Sequence, residues 1–78
     1  MKFKSFIQFI KEAYWRNKYD MVVPLNDDFY GVFTDGKWGV VDGSGNIEIP
    51  VVYDFIKRIG NNKFKGTKNH QDYLLELP

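Results

Sequence analysis

The chain has no cysteine, a single histidine (His70) and no long apolar run. The missing cysteine excludes disulfides, thiolate zinc sites and cysteine nucleophiles, and one histidine argues against a histidine-based metal site. No stretch approaches the roughly 20 apolar residues that span a membrane as a helix. We therefore expect a cytoplasmic protein with no bound metal or other cofactor and no membrane association.

The N-terminus has part of the pattern of a signal peptide, because Lys4 precedes an apolar run at residues 6–10. Gln8 interrupts that run, Lys11 and Glu12 end it, and no small-residue cleavage site follows. We therefore do not expect secretion.

Aromatic residues are abundant, at 18% of the 78 residues. Packed rings offset the entropy of the chain, which argues against disorder, and the length predicts a single domain over residues 1–78. The net charge of +1 divides into +4 over residues 1–18, −6 over 19–54 and +3 over 55–78. This division favours intramolecular charge pairing, and a two-signed surface that steers a charged partner is the alternative.

The first segment has the periodicity of a helix. Apolar residues recur with the spacing i, i+3, i+4, i+7 and i+11, at Phe3, Phe6, Ile7, Ile10 and Tyr14. This spacing predicts an amphipathic helix over residues 3–18 whose apolar stripe packs on a sheet.

Beyond residue 19, short β-favouring runs alternate with turn residues. Asp35-Gly36 is a signal for a two-residue hairpin turn and predicts antiparallel strands at 29–34 and 37–42. Further strands are expected at 47–49 (ended by Pro50), 63–67 and 72–77, with 21–23 as a candidate edge strand. The predicted fold is α+β, in which the N-terminal amphipathic helix packs on a small antiparallel β-sheet of about five strands built from consecutive hairpins.

The second part of the chain repeats itself weakly. Matching residues lie 34 positions apart: Tyr19 and Tyr53, Asp20 and Asp54, Tyr30 and Phe64. With one extra residue in the second loop, Trp38 aligns with Tyr73. A period of this size predicts a hairpin unit that stacks on its neighbour.

The first unit contains Gly-Lys-Trp-Gly, a glycine-rich turn, Ile-Pro and Tyr-Asp in that order. It resembles the WG repeat, also called the KWG repeat, over about Asp35 to Gly66. The residues that carry the resemblance are Gly36, Lys37, Trp38, Gly39, Asp42, Pro50, Tyr53 and Asp54. The second unit departs from the pattern, because Gln-Asp-Tyr at 71–73 replaces Gly-Lys-Trp. The resemblance implies binding or scaffolding rather than catalysis.

Three groups of polar residues suggest chemistry and are weighed against simpler roles. They are Asp42 with Ser44, Asn46 and Glu48; His70 with Asp72; and Asp27 with Asp28. The first alternates like the start of a calcium loop but lacks the required glycine and bidentate glutamate, which favours a polar turn. The second has no nucleophile placed by a motif, which favours a solvated histidine. The third consists of neighbours that point apart on a turn, which favours a solvated loop.

Two basic surfaces are candidates for partner binding. One is a stripe of the predicted helix that consists of Lys4, Gln8, Lys11 and Trp15. Trp15 would anchor a partner there, and the slightly favoured alternative is that its ring folds down over the sheet edge. The other consists of Lys57, Arg58, Lys63, Lys65 and Lys68. Because Lys63 and Lys65 alternate with Phe64, we favour Phe64 in the core and the lysines in water.

These observations predict a non-enzymatic protein–protein interaction module, a small inhibitor or adaptor protein of a bacterium or phage that binds another protein. A nucleic-acid-binding protein that uses the basic N-terminal helix and the basic C-terminal unit is the alternative. An enzyme that uses His70 and a carboxylate has the lowest weight. We expect a monomer, or a homodimer joined through a free strand edge.

Overall fold

The computed structural model describes residues 14–78. A short 3₁₀ helix precedes seven strands, β1 to β7. The elements are the 3₁₀ helix Trp15–Lys18, β1 Met21–Pro24, β2 Phe29–Thr34, β3 Lys37–Asp42, β4 Ile47–Tyr53, β5 Phe55–Gly60, β6 Lys63–Lys68 and β7 Gln71–Glu76. Within this part of the chain no helix has the length and apolar character needed to cross a membrane.

The strands form two antiparallel sheets rather than one. Sheet A has the order β1-β2-β3-β4, and sheet B has the order β5-β6-β7. The α+β prediction is wrong, because residues 14–78 contain only β-strands and one four-residue 3₁₀ helix. The prediction of about five strands in a single sheet is wrong for the same reason.

The predicted helix over residues 3–18 falls mostly on residues 1–13, which lie outside the described part of the chain. Its last four residues form the 3₁₀ helix, and Tyr19 then adopts an extended conformation with ψ of 149°. An α-helix therefore does not continue through Trp15–Lys18. A 3₁₀ turn is a common way for a short segment to change direction.

The strands signalled by local turn chemistry are confirmed. β2 and β3 have the predicted bounds, and Gly36 between them has a positive φ of 77°. β4 was expected to end at Pro50 but continues to Tyr53. A proline is compatible with this strand because, within residues 14–78, β4 pairs only with β3, and an edge strand tolerates a missing backbone donor. β5 was not predicted.

The weak sequence repeat has a structural counterpart in the strand registers. Met21 pairs with Phe33 in β1–β2, and the residues 34 positions later, Phe55 and Thr67, pair in β5–β6. The Asp20 amide donates to the Phe33 carbonyl at 2.8 Å, and the Asp54 amide donates to the Thr67 carbonyl at the same distance. The two units therefore share one backbone plan, β1-β2-β3 and β5-β6-β7.

The registers correct the proposed alignment of Trp38 with Tyr73. Phe33 pairs with Trp38, and Thr67 pairs with Asp72. Both hairpins have two-residue turns with positive φ, at Asp35-Gly36 and Asn69-His70. The second loop therefore has no extra residue, and Asp72 occupies the position of Trp38.

The main core lies between the two sheets. Its buried residues are Val40, Ile49, Tyr53, Phe64 and Leu77. In space, β5 lies against β3, and β6 lies against β4. Sheet B is thus displaced by two strands relative to sheet A. On the face of sheet A that packs against sheet B, no strand of residues 14–78 covers β1 and β2.

The other face of sheet A is covered by the residues that precede β1. Trp15 packs with Val32 and Val41, and Tyr19 joins them from the same side. Ile49 and Tyr53 are the equivalents of Trp15 and Tyr19, 34 residues later in the sequence. In the main core they pack with Phe64 of sheet B, as Trp15 and Tyr19 pack on sheet A. The protein is thus a head-to-tail stack in which each unit is covered by the residues just before its first strand.

Candidate functional site

An apolar cleft lies where the displaced sheets leave β1 and β2 uncovered. We call it the seam cleft. Its larger part has a volume of about 620 Å³ and is lined by Met21, Phe33, Gly36, Trp38, Asp54, Phe55, Thr67 and His70. A smaller, more enclosed part of about 160 Å³ is lined by Val23, Leu25, Gly31, Trp38, Gly39, Val40 and Ile56. Residues of β1, β2, β3, β5 and β6, together with the two hairpin turns, form its walls.

Trp38 separates the two parts of the cleft. Its side chain is half-buried and packs on Phe33 with ring centroids 4.8 Å apart. Among residues 14–78, no acceptor binds its indole N–H. A tryptophan whose half-buried ring lines an apolar cleft is a typical contact residue of protein interfaces.

The rim of the cleft exposes large apolar side chains. Phe55 is 68% exposed and Met21 is 49% exposed. They occupy equivalent positions in the two units, 34 residues apart. Because their burial by a partner would remove apolar surface from water, they add a driving force for association that buried core residues cannot supply.

An ion pair borders the cleft. Lys37 on β3 donates to Asp54, which links β4 to β5. This hydrogen bond, with the positive charge of Lys37, lowers the pKa of Asp54. The contact joins the first hairpin to the start of the second unit, which is a positioning role for two residues of the Gly-Lys-Trp-Gly and Tyr-Asp motifs.

The other motif residues have structural roles. Gly39 faces a β-bulge in β4, where an added Cβ would lie 2.7 Å from the Ile49 carbonyl oxygen. Pro50 is exposed in that bulge, and Tyr53 is buried in the main core. The motif therefore builds one wall of the seam cleft, mainly through backbone geometry.

Asp42 organises the turn between β3 and β4. Its Oδ1 accepts hydrogen bonds from the backbone amides of Ser44 and Asn46, each at 2.9 Å, and its Oδ2 accepts from the Asn46 side chain at 3.0 Å. The Asn46 side-chain donor is the largest cause of the lowered pKa of Asp42, and the backbone donors of the turn act in the same direction. The carboxylate is thus satisfied by the turn itself, as a polar turn requires.

Asp42→Asn should lower stability at neutral pH and have no such effect in acid. The folded pKa of Asp42 lies below its ordinary value of 3.8, so the contribution of Asp42 to stability is present above that pH and is lost as pH falls through the folded pKa. We expect a loss of about 0.5 kcal/mol at pH 7, small because the turn is exposed. Denaturant unfolding at neutral pH and below pH 3 measures the difference, and an equal loss at both pH values would contradict this role.

Trp15 does not present an exposed anchor. It is 5% exposed, and its indole N–H donates to the Gly43 carbonyl at 3.2 Å. The guanidinium of Arg16 lies over both the Trp15 ring (5.0 Å) and the Tyr30 ring (4.7 Å). The alternative in which Trp15 folds down onto the sheet is therefore correct. Lys4, Gln8 and Lys11, the rest of the proposed patch, lie outside the described residues.

His70 and Asp72 form no hydrogen bond or ion pair with each other within residues 14–78. His70 is in the turn and lines the seam cleft, whereas Asp72 accepts a hydrogen bond from the Thr67 hydroxyl at 2.8 Å. In the first loop, Asn26 accepts from the amides of Asp28 and Phe29 at 2.8 and 2.9 Å. Neither place brings together a nucleophile and a base among residues 14–78.

The basic residues of the second unit behave as alternation predicts. Phe64 is buried at 1% exposure, while Lys63 and Lys65 are exposed on the other face of β6. Lys65 pairs directly with Lys57 in the β5–β6 register. Like charges at directly opposed positions repel each other, and Asp72 approaches Lys65 at 3.9 Å.

Sequence reasoning missed Met21, Phe33 and Phe55 as site residues. The equivalence of Met21 and Phe55 in the repeat was an available signal, since both begin the first strand of a unit. Their exposure could not be inferred, because it depends on the displacement of one sheet over the other.

Comparisons with known proteins give no relative from which a function could be transferred. No protein-family model matches the chain. No curated protein and no solved structure matches it either. The WG-repeat resemblance is therefore without support from these comparisons, and the geometry of the seam cleft carries the functional argument.

Proposed function

We propose that this chain is a cytoplasmic, non-enzymatic module that binds another protein through the seam cleft. The observation that carries the proposal is the open apolar cleft around Trp38, with Phe55 and Met21 exposed at its rim. An exposed set of large apolar side chains, rimmed by polar groups, is typical of protein-interaction sites. The resemblance to WG repeats points the same way.

The chemistry of the lining supports binding rather than reaction. Asp54 is engaged by Lys37, and His70 is the other titratable side chain of the larger part of the cleft. A carboxylate already held by a lysine is poorly placed to act as a general base. The cleft therefore offers an apolar contact surface with a few polar positions at its rim.

Photo-cross-linking tests the proposal. A benzophenone amino acid at position 55 places the reactive group at the rim of the cleft, and the same group at position 47 is the control. Ile47 is 60% exposed but lies at the start of β4, away from the cleft lining. The full chain would be irradiated in the cell that naturally produces it, and we expect a defined protein adduct from position 55.

The adduct from position 55 is compared with the adduct from the control position 47. An adduct of similar yield and mass from position 47 would indicate non-specific contact. If position 55 gives no adduct above the control, the seam cleft does not bind a protein and the proposal fails.

Binding to a nucleic-acid backbone is the second candidate. The opposed Lys57 and Lys65 on the outer face of sheet B favour it, because a phosphate would relieve their repulsion. Asp72 and Glu76 on the neighbouring strand weaken it. Gel-shift titration with single-stranded DNA and RNA at low salt decides: the candidate predicts salt-sensitive binding, and absence of any shift removes it.

A further inference from the structure

We propose that the partner of the seam cleft is an extended protein segment that adds a strand to the unpaired edge of β5. This inference rests on the proposed function and specifies the chemistry of its partner. The segment alternates apolar side chains, which enter the cleft, with side chains on the outer face that include a carboxylate opposite Lys57.

The position for an added strand is defined by the two sheets. Sheet A has four strands and sheet B has three. Since β5 lies against β3 and β6 against β4, the next position in sheet B lies above β2. Within residues 14–78, β5 pairs only with β6, so its other edge presents unpaired backbone donors and acceptors beside this position. Pairing with an edge is how many domains bind extended peptides.

The floor beneath this position accepts apolar side chains. The smaller part of the seam cleft, about 160 Å³, lies between Leu25, Gly31 and Ile56. An apolar cavity of about 150 Å³ accommodates a benzene ring, so this space suits one aliphatic side chain or one ring. In a strand, alternate side chains point to the same face, which gives the spacing of the apolar residues in the segment.

Polar contacts close one end of the cleft. The Arg58 guanidinium donates to the Leu25 carbonyl at 3.3 Å, and the Asn26 side chain donates to that of Asn62 at 3.4 Å. The other end, beside Gly36 and His70, is bordered by the Lys37–Asp54 ion pair but is the wider part of the cleft, at about 620 Å³. An extended segment therefore enters at the wider end, where the two hairpin turns lie.

The positive charge of Lys57 on β5 favours an acidic side chain on the outer face of the bound segment. Lys57 is exposed, and its cross-strand neighbour on β6 is Lys65. Among residues 14–78, Lys57 forms no ion pair with a carboxylate. A strand on the open edge would place its own side chain opposite Lys57 on the same face, and a carboxylate there would form a favourable cross-strand pair.

Isotope-edited NMR of the full chain tests the strand. The probe is a capped peptide of about seven residues that alternates valine with glutamate, in the length range of natural strands. We expect saturable shifts of the β5 amides and of Gly31. The control is the same peptide with N-methyl groups on alternate backbone nitrogens, which keeps the side chains but removes donors, and we expect its affinity to fall about tenfold or more.

A substitution in the floor of the cleft provides an independent test. A Cβ at Gly31 would lie 3.6 Å from Leu25 Cδ2 and 3.8 Å from Trp38 Cζ3, which is ordinary contact. Gly31→Val therefore fills the smaller cavity and should weaken the peptide about tenfold. Gly31→Ala, which fits without movement, should weaken it less, and Gly43→Ala, which meets no atom within 4 Å, should leave it unchanged.

Several outcomes would overturn the inference. The inference fails if the N-methylated peptide binds as tightly as the unmodified one, or if the unmodified peptide does not bind. It fails if the chemical-shift changes centre on β1 or β7 instead of β5. It also fails if the β5 amides of the free chain are already protected, by residues 1–13 or by a second copy of the chain. If any of these occurs while position 55 still cross-links to a protein, the proposed function stands and the strand-addition inference fails. If the peptide binds β5 but no protein is captured, the failure lies in the proposed function.

Discussion

Gly39→Ala should destabilise the fold by about 3 kcal/mol. The new methyl group would lie 2.6 Å from Val51 Cγ2, 2.7 Å from the Ile49 carbonyl oxygen and 2.8 Å from Val51 Cα. Two of these atoms belong to the backbone of the β4 bulge, so side-chain rotation cannot make room. Overpacking of this kind typically costs about 1–3 kcal/mol, and contact with backbone atoms places this variant at the upper end.

Gly43→Ala is the matched control. It lies four residues further along the chain, has nothing within 4 Å of its added Cβ and does not have a positive φ. We expect its unfolding free energy to stay within about 0.5 kcal/mol of the original chain. Denaturant unfolding followed by tryptophan fluorescence measures both variants. Equal stability of the two would show that β4 does not approach β3 at Gly39.

Trp15→Ala should cost about 3–5 kcal/mol, the range for removing a buried aromatic side chain. The ring is 5% exposed, packs on Val32 and Val41, and donates to the Gly43 carbonyl. A domain of this size has a total stability of roughly 4–12 kcal/mol. The variant should therefore melt at a much lower temperature or be unfolded at 25 °C.

Tyr14→Ala separates the effect of Trp15 from a general effect of the N-terminal region. Tyr14 is the preceding residue and is 61% exposed. We expect its melting temperature to change by no more than a few degrees. If Trp15→Ala melts like Tyr14→Ala, Trp15 is not part of the core, and its role as an exposed contact residue would have to be reconsidered.

The two units differ on the face of sheet B that carries Lys57, Lys63 and Asp72. The outer face of the second unit has Lys57, Lys63 and Asp72 where the first has Val23, Phe29 and Trp38. Lys57, Lys63 and Asp72 are all exposed, and charged side chains at such positions stay hydrated. Asp72, where the first unit has Trp38, is therefore compatible with an exposed position on sheet B.

The hairpins were predictable because their signals are local. Asp35-Gly36 specifies a two-residue turn, and the β-branched and aromatic residues around it favour strands. The division into two sheets depends on contacts between residues far apart in sequence, such as Phe64 with Val40. No local pattern encodes that arrangement. β5 was missed because its residues Phe55–Gly60 mix apolar and basic side chains without a turn signal before them.

The candidate site was predictable only in part. The sequence singled out Gly36, Trp38 and Asp54 as motif residues with a structural role, not as a binding site, and they line the seam cleft. It gave no indication of a cleft, because the opening results from the displacement of sheet B. The helical periodicity before residue 19 suggested an exposed stripe, whereas Trp15 is held by a tertiary contact with the β3–β4 turn.

The most direct test of the account is the affinity of Phe55→Ala for the protein that cross-links at position 55. Phe55 is 68% exposed, so its truncation should leave the melting temperature nearly unchanged. As a contact residue at the rim of the cleft, it should weaken binding about tenfold or more, measured by isothermal titration calorimetry. Ile47→Ala, at 60% exposure, should bind like the original chain. Unchanged affinity of Phe55→Ala, or an equal loss in Ile47→Ala, would contradict a binding site at the seam cleft.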